Sequence, residues 1–196
     1  LVMELTESGF GTELIETEAI KILFDELNTE LVAVQERWET RDQEINQVIG
    51  VEPITVEQEL VVEGNYYYGH TPSLIEAPID KYPNICAIAD NADQSEDVID
   101  QFNNYSISLA IEIMCKSLYN ESEVNRRTNR TLEAVHNVMM RNQTLNGIIE
   151  GFDADPSAVL TDVFTRSDHP QGNDTKWFWR AGRIDYTITR HALIPE

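Results

Sequence analysis

Along residues 105–116 the apolar side chains fall on every second position: Tyr105, Ile107, Leu109, Ile111, Ile113 and Cys115. Ser106, Ser108, Ala110, Glu112, Met114 and Lys116 sit between them. That alternation predicts a strand with one buried face and one wetter face. After Asn120-Glu121-Ser122-Glu123 the period changes. Val124, Leu132, Val135, Val138 and Met139 share one side of a predicted helix, while Arg126, Arg127, Arg130 and Glu133 populate the others. Asn120 and Glu123 have the spacing of a capping box, and Gly147 supplies a C-terminal stop.

The same reasoning extends along the chain. Ile20, Leu23, Phe24, Leu27, Leu31 and Val34 follow helical spacing over residues 17–38, with Thr17 as N-cap and Trp38 at the end. Residues 39–81 lose this regularity. Ile54–Val56 and Leu60–Val62 suggest a hairpin or two strands, and Gly64–Pro72, with Tyr66, Tyr67 and Tyr68 in sequence, reads as an exposed loop. Ile85–Ala89 is a short buried strand followed by an acidic connection from Asp90 to Asp100. Strands over 159–166 and 177–192 close the chain. Short connections between successive strands favour antiparallel pairing. The expected architecture is therefore one α+β domain over 1–196: a mostly antiparallel sheet, two main helices on one face, and residues 39–81 as a β-rich arm or insertion.

Charge sharpens this picture. Thirty-five acids face fourteen bases, for a formal net charge of −21. Such a chain will not wrap a duplex, because phosphate binding needs cations. The acidity fits solubility, adaptation to a salty medium, or a wall past which DNA slides without sticking. No run reaches the ~20 apolar residues of a membrane span. Leu1–Gly11 carries no cation, so no secretory leader is expected, and the reading is of a soluble protein of intracellular origin. Cys86 and Cys115 are expected as buried free thiols rather than a disulfide.

Candidate chemistry is sparse. His70, His136, His169 and His191 share no metal-ligand spacing, and no nucleophile elbow or glycine-rich phosphate loop occurs. Asp90–Asp93 and Asp153–Asp155 do not complete a calcium loop. Neither a catalytic group, a metal nor a cofactor is expected. The Asn-x-Ser/Thr triplets at Asn104, Asn120, Asn129, Asn142 and Asn173 are read as unglycosylated, since Asn129 falls in a helix and Asn104 opens a core strand. Arg126, Arg127 and Arg130 form a cationic island, either a solvated helix face balanced by its own acids or a contact between subunits. The three tyrosines at 66–68 are either a partner contact or packing over the domain edge.

The helix Thr17–Val34, the strand Pro83–Ile88, the strand Tyr105–Lys116, the arginine-bearing helix Glu121–Met140 and the closing strand Gly182–Ile188 follow one another in an order that resembles the tail-terminator (tail-completion) family of long-tailed bacteriophages. The resemblance implies a structural, non-enzymatic virion protein of the tail and neck, assembled in the host cytoplasm. It implies a ring of copies, hexameric in that family, that caps the tail tube, ends its polymerisation and joins it to a head-connector or stopper protein. DNA would pass through the channel without specific binding, and no membrane is involved. Ser106, Ser108 and Glu112 would then line the channel, and Arg126, Arg127 and Arg130 would hold neighbouring copies together. A head–tail connector (head-completion adaptor) or another tail-tube component is the alternative, and residues 39–81 depart from the family plan.

Overall fold

The computed structural model describes residues 12–52, 56, 58–69, 82–97, 102–118, 120–153, 156–168 and 175–193; at 90–97, 102–106, 164, 166–168, 175–176 and 189–193 it describes backbone alone. Helix α1 spans Thr12–Ile49, strand β1 Tyr66–Tyr68, β2 Asn84–Asp97, β3 Phe102–Ser117, helix α2 Glu121–Arg141, β4 Ser157–Leu160, β5 Phe164–Asp168 and β6 Thr175–Leu193. The strands form one six-stranded sheet in the order β1-β2-β3-β6-β4, with β5 also on β6. Only β1–β2 is parallel. Both helices pack on one face, so the fold is α+β as expected.

The core lies between that face and the helices. Ile107, Leu109, Ile111 and Ile113 of β3 and Ile184, Tyr186 and Ile188 of β6 meet Ile15, Leu23, Leu27, Leu31 and Val34 of α1 and Val135, Val138 and Met139 of α2. Each such fully buried aliphatic contributes roughly 1.5–3 kcal/mol. At Gly182 the sheet comes close against α2: a Cβ there would lie 2.9 Å from Leu132 Cδ1.

Several expectations are corrected. Helix α1 does not stop at Trp38 but continues to Ile49, absorbing the start of the supposed arm. Its apolar stripe ends at Val34, and polar ties to α2 hold the continuation instead. It ends at Gly50, whose φ of +67° suits glycine and whose N–H donates to Asn46 O at 2.8 Å. Thr17 is no cap: it lies inside the helix, and its hydroxyl donates to Glu13 O at 2.8 Å. Helix α2 ends at Arg141 with Asn142 as C-cap, before Gly147. The segment Asp90–Asp97 is strand, continuing β2 in register with β3 up to the Asp97–Phe102 pair past an irregularity between Asp90 and Asp93.

No hairpin forms at the described positions between 56 and 62. These residues run as an extended strap over the helices, held by side-chain amides rather than by a ladder. Asn28 grips Val61 at both backbone atoms, with Nδ2 donating to Val61 O at 2.8 Å and Oδ1 accepting from Val61 N at 2.9 Å. Gln35 Nε2 donates to Val56 O at 2.8 Å. Ile54, Thr55 and His70–Pro72 lie outside the described residues. Tyr66–Tyr68 is a strand, not a loop. Where β1 ends, Glu16 takes over its role: its Oε1 accepts the next outward amide of β2, Ala89 N–H, at 2.7 Å.

The supposed strand over 159–166 is two strands, both on the outer edge of β6. Leu160 pairs with Gly182 and Phe164 with Trp179, so four steps along this edge meet three along β6. One residue is extra, the signature of a bulge.

Replacing Gly182 by Val should force Leu132 out of place and destabilise the fold by about 1–3 kcal/mol. A double variant with Leu132→Ala should cost less than the sum of the two single changes, as read from urea midpoints.

Candidate functional site

The expected site residues fall into three places. The arginine island lies on the side of α2 that faces α1 and the strap. There it is spent within the chain, which corrects the reading of a solvated face. Arg127 is 4% exposed: Nη2 pairs with Glu123 Oε1 at 2.7 Å, and Nη1 reaches Glu59 Oε1 at 3.0 Å and Lys116 O at 3.1 Å. Arg130, 3% exposed, pairs through Nη2 with Asp42 Oδ2 at 3.2 Å, and its Nη1 donates to Gln35 Oε1. Arg126 Nη1 reaches the same Asp42 oxygen at 2.7 Å. Burial lowers the Arg130 guanidinium below its ordinary value, with the neighbouring Arg126 charge adding to the effect, even though Asp42 opposes it. These side chains knit α2 to α1 and to the strap. At 127 and 130 no free guanidinium surface is left for a neighbouring copy.

The expected capping box is half made. Asn120 Oδ1 accepts from Glu123 N–H at 2.8 Å, while the Glu123 carboxylate turns to Ser117 Oγ and Arg127.

Further along the same seam, Glu133 takes Arg37 at 3.1 Å and the Trp38 indole N–H at 2.7 Å. Glu30 takes Arg141 at 2.7 Å and Asn137 at 2.9 Å. Burial opposes ionisation of Glu30, but the bonds from Arg141, Asn137 and Arg37 win and hold its carboxyl below the ordinary value.

The second place is the sheet face turned away from the helices. In the β3–β6 register Ser108 faces Thr187, Ala110 faces Asp185 and Glu112 faces Arg183. Arg183 bonds Glu112 at 3.2 Å and Asp185 at 2.7 Å. Partial burial costs the guanidinium something, yet the two carboxylates raise it above its ordinary value. Ser108 is half-buried on this face; Ser106 shares its strand, but its side chain lies outside the described set. The face is not uniformly wet. Toward one end Tyr82, Met114 and Trp179 form a second small core, with the Tyr82 and Trp179 rings edge to face at 4.7 Å. Lys116 is buried there, its ammonium 5.1 Å from the Trp177 ring centroid. Beside β4 a depression of ≈ 390 Å³ is lined by Glu112, Met114, Val159, Thr161, Ala181 and Arg183. The cluster Glu112–Arg183–Asp185 was not singled out from sequence. Its signal was the polar alternation Arg183, Asp185, Thr187, which becomes a charge cluster only when paired across to β3.

The third place is β1. Tyr66 packs edge to face on Phe24 at 5.4 Å, and burial pushes its hydroxyl up to about 12. Tyr67 is half-buried and Tyr68 is 51% exposed. Tyr66 packs over the domain edge, one of the two readings the sequence allowed, and the Tyr68 ring faces outward.

Cys86 and Cys115 are free and buried. Cys86 stands opposite Glu112, three positions from Cys115 along β3, so the two thiols lie on opposite faces of the sheet. Among the described residues no cluster of three or more His, Cys, Asp or Glu could hold a metal ion. Asp90, Asp93 and Asp155 lie outside the described side chains. Among the described residues no helix is long and apolar enough to cross a membrane. The chain matches no protein-family model and no curated protein.

Two outcomes test the seam. Asp42→Ala strips Arg126 and the buried Arg130 of their carboxylate and should cost about 3 kcal/mol in urea unfolding, against less than ~0.5 for the exposed Arg41→Ala. Because Glu30 is depressed in the folded state, its contribution is full above the ordinary carboxylate value of 4.5 and is lost as pH falls through the folded one. The acid limb of the stability profile should accordingly be shallower in Glu30→Gln than in the wild type.

Proposed function

We propose that this chain is a structural, non-enzymatic tail-terminator subunit of a long-tailed bacteriophage, which forms a ring that caps the tail tube and joins it to the head connector or stopper. One observation carries the reading. The long helix, the β2–β3 hairpin, the second helix and the closing strand β6 occur in the order of that family and form one sheet with both helices on one side. On the side away from the helices Ser108, Glu112, Arg183 and Asp185 stay partly exposed and Thr187 exposed, which leaves that stretch of the sheet available for a lumen.

The central groups of that face suit a wall better than an acid–base centre. Glu112 and Asp185 are both engaged by Arg183, which neutralises part of their charge and ties them to the sheet. In this reading Ser106, Ser108 and Glu112 belong to the lumen wall. The repulsive field that keeps DNA from sticking arises from the chain's overall charge of −21 more than from Glu112. The arginines of α2 act inside each subunit. Tyr68 is the member of the tyrosine triplet offered to a partner.

Native mass spectrometry and negative-stain imaging of the purified protein test this. Sixfold rings that bind the end of tail tubes are the expected result. A stable monomer at high concentration overturns the reading, a twelvefold ring redirects it to a head-completion adaptor, and open-ended tubes redirect it to a tube subunit.

A further inference from the structure

Among the described residues the sheet is open at both ends. Strand β1 pairs only with β2, and β4 only with β6. Thr161 N–H donates to Ala181 O at 3.1 Å, so alternation along β4 turns the backbone groups of Ala158 and Leu160 away from β6. At the other end Gly69 N–H donates to Ala87 O at 2.9 Å, which turns those of Tyr66 and Tyr68 away from β2. Among the described residues no hydrogen bond reaches these four outward positions.

Both edges are free of charge. Charged residues make up 25% of the chain, yet Ser157–Leu160 and Tyr66–Tyr68 contain none. All four residues of β4 are exposed, Val159 by 58% and Leu160 by 38%. Sheet edges are ordinarily blunted by lysine, proline or a bulge. Here Pro156 and the bulge at 161–163 bracket β4 and set its length without interrupting it.

Strand direction allows a head-to-tail contact between copies. β1 runs with β2, and each step from β2 to β3, to β6, to β4 reverses direction. Where one sheet continues into the next copy, β4 therefore meets β1 antiparallel. We infer that β4 of one copy pairs, head to tail, with β1 of the next, so that the charge-free edges join the sheets of successive subunits. The inference rests on the ring reading above and supplies its subunit contact. A twofold pairing of β4 with β4 would stop at a dimer, whereas head-to-tail pairing repeats until it closes. Copies of charge −21 repel one another, and joining them through uncharged edges keeps like charges out of register. Added salt should promote assembly by screening the rest.

The test exploits the outward N–H groups. Leu160→Pro and Tyr68→Pro each delete a donor that no bond among the described residues uses, a change that edge strands tolerate. Leu160→Ala and Tyr68→Ala keep the donor and control for loss of the side chain. Each proline variant should be monomeric by native mass spectrometry and each alanine variant should still assemble. An equimolar mixture of the two proline variants should give a one-to-one heterodimer, since each retains the edge that the other lacks. Rings that persist in Leu160→Pro overturn the edge contact and leave the ring reading standing. A wild type that stays monomeric in about 0.5 M salt overturns both. Should a proline variant lose its helical circular dichroism, a short bismaleimide cross-link decides instead. It should join Val159→Cys to Tyr68→Cys in a mixture and neither variant to itself, and a Val159→Cys self-link overturns head-to-tail pairing.

Discussion

The helices are held to each other by a seam of opposite charges, and most of the features outside the core depend on it. Helix α1 brings Glu18, Glu26, Glu30, Arg37 and Asp42; the returning chain brings Asn146, Asn142, Arg141, Glu133 and Arg130 in reverse order. The two runs fit only antiparallel and only in this register, because sliding by one turn would set Glu30 against Glu133. Apolar packing fixes α1 from Ile15 to Val34. Beyond Val34 the seam supplies the specificity, and the strap is laid against the helix that it holds in place.

This seam also organises the protein's field. Arg37, Arg126, Arg127, Arg130, Arg141 and Arg183 are all engaged with carboxylates of the same chain. Arg180 donates to Thr161 O, and Arg41 lies 5.7 Å from the Trp38 ring centroid. With these cations of the described residues committed internally and a formal net charge of −21, charge-free segments are the natural points of contact with other molecules.

Much of the fold was legible because period and burial agreed. The alternation from Tyr105 to Lys116 and the helical stripe of Val124–Met139 each face one core, and both elements stand where the pattern put them. Legibility failed where polar contacts replaced apolar ones. Nothing in the periodicity of residues 39–49 signals a helix, since Asp42 and Trp38 are held by partners about ninety positions away. The arginine island was visible as charge, but which carboxylates it met depended on the register of two helices. The strap read as strand because Val56, Val61 and Val62 favour extended backbone, and extended it is; the amides of Asn28 and Gln35 simply took the place of a neighbouring strand. At the sheet edge Val159 and Leu160 of β4 were read as strand, but no pattern in one chain says which side of a strand will be left unpaired.

The way the strap is gripped bears on how such a protein can change over generations. Asn28 and Gln35 hold main-chain atoms, which every residue type but proline presents alike. Substitutions at the exposed strap positions Leu60 and Val62 leave those bonds untouched, so that stretch is free to drift with whatever lies opposite it. The constraint falls instead on the helix. At position 28 only an amide both donates and accepts as Val61 requires, and even aspartate would set an acceptor against a carbonyl. In descendants of this chain, invariance is expected on α1 and diversity on the segment that it carries.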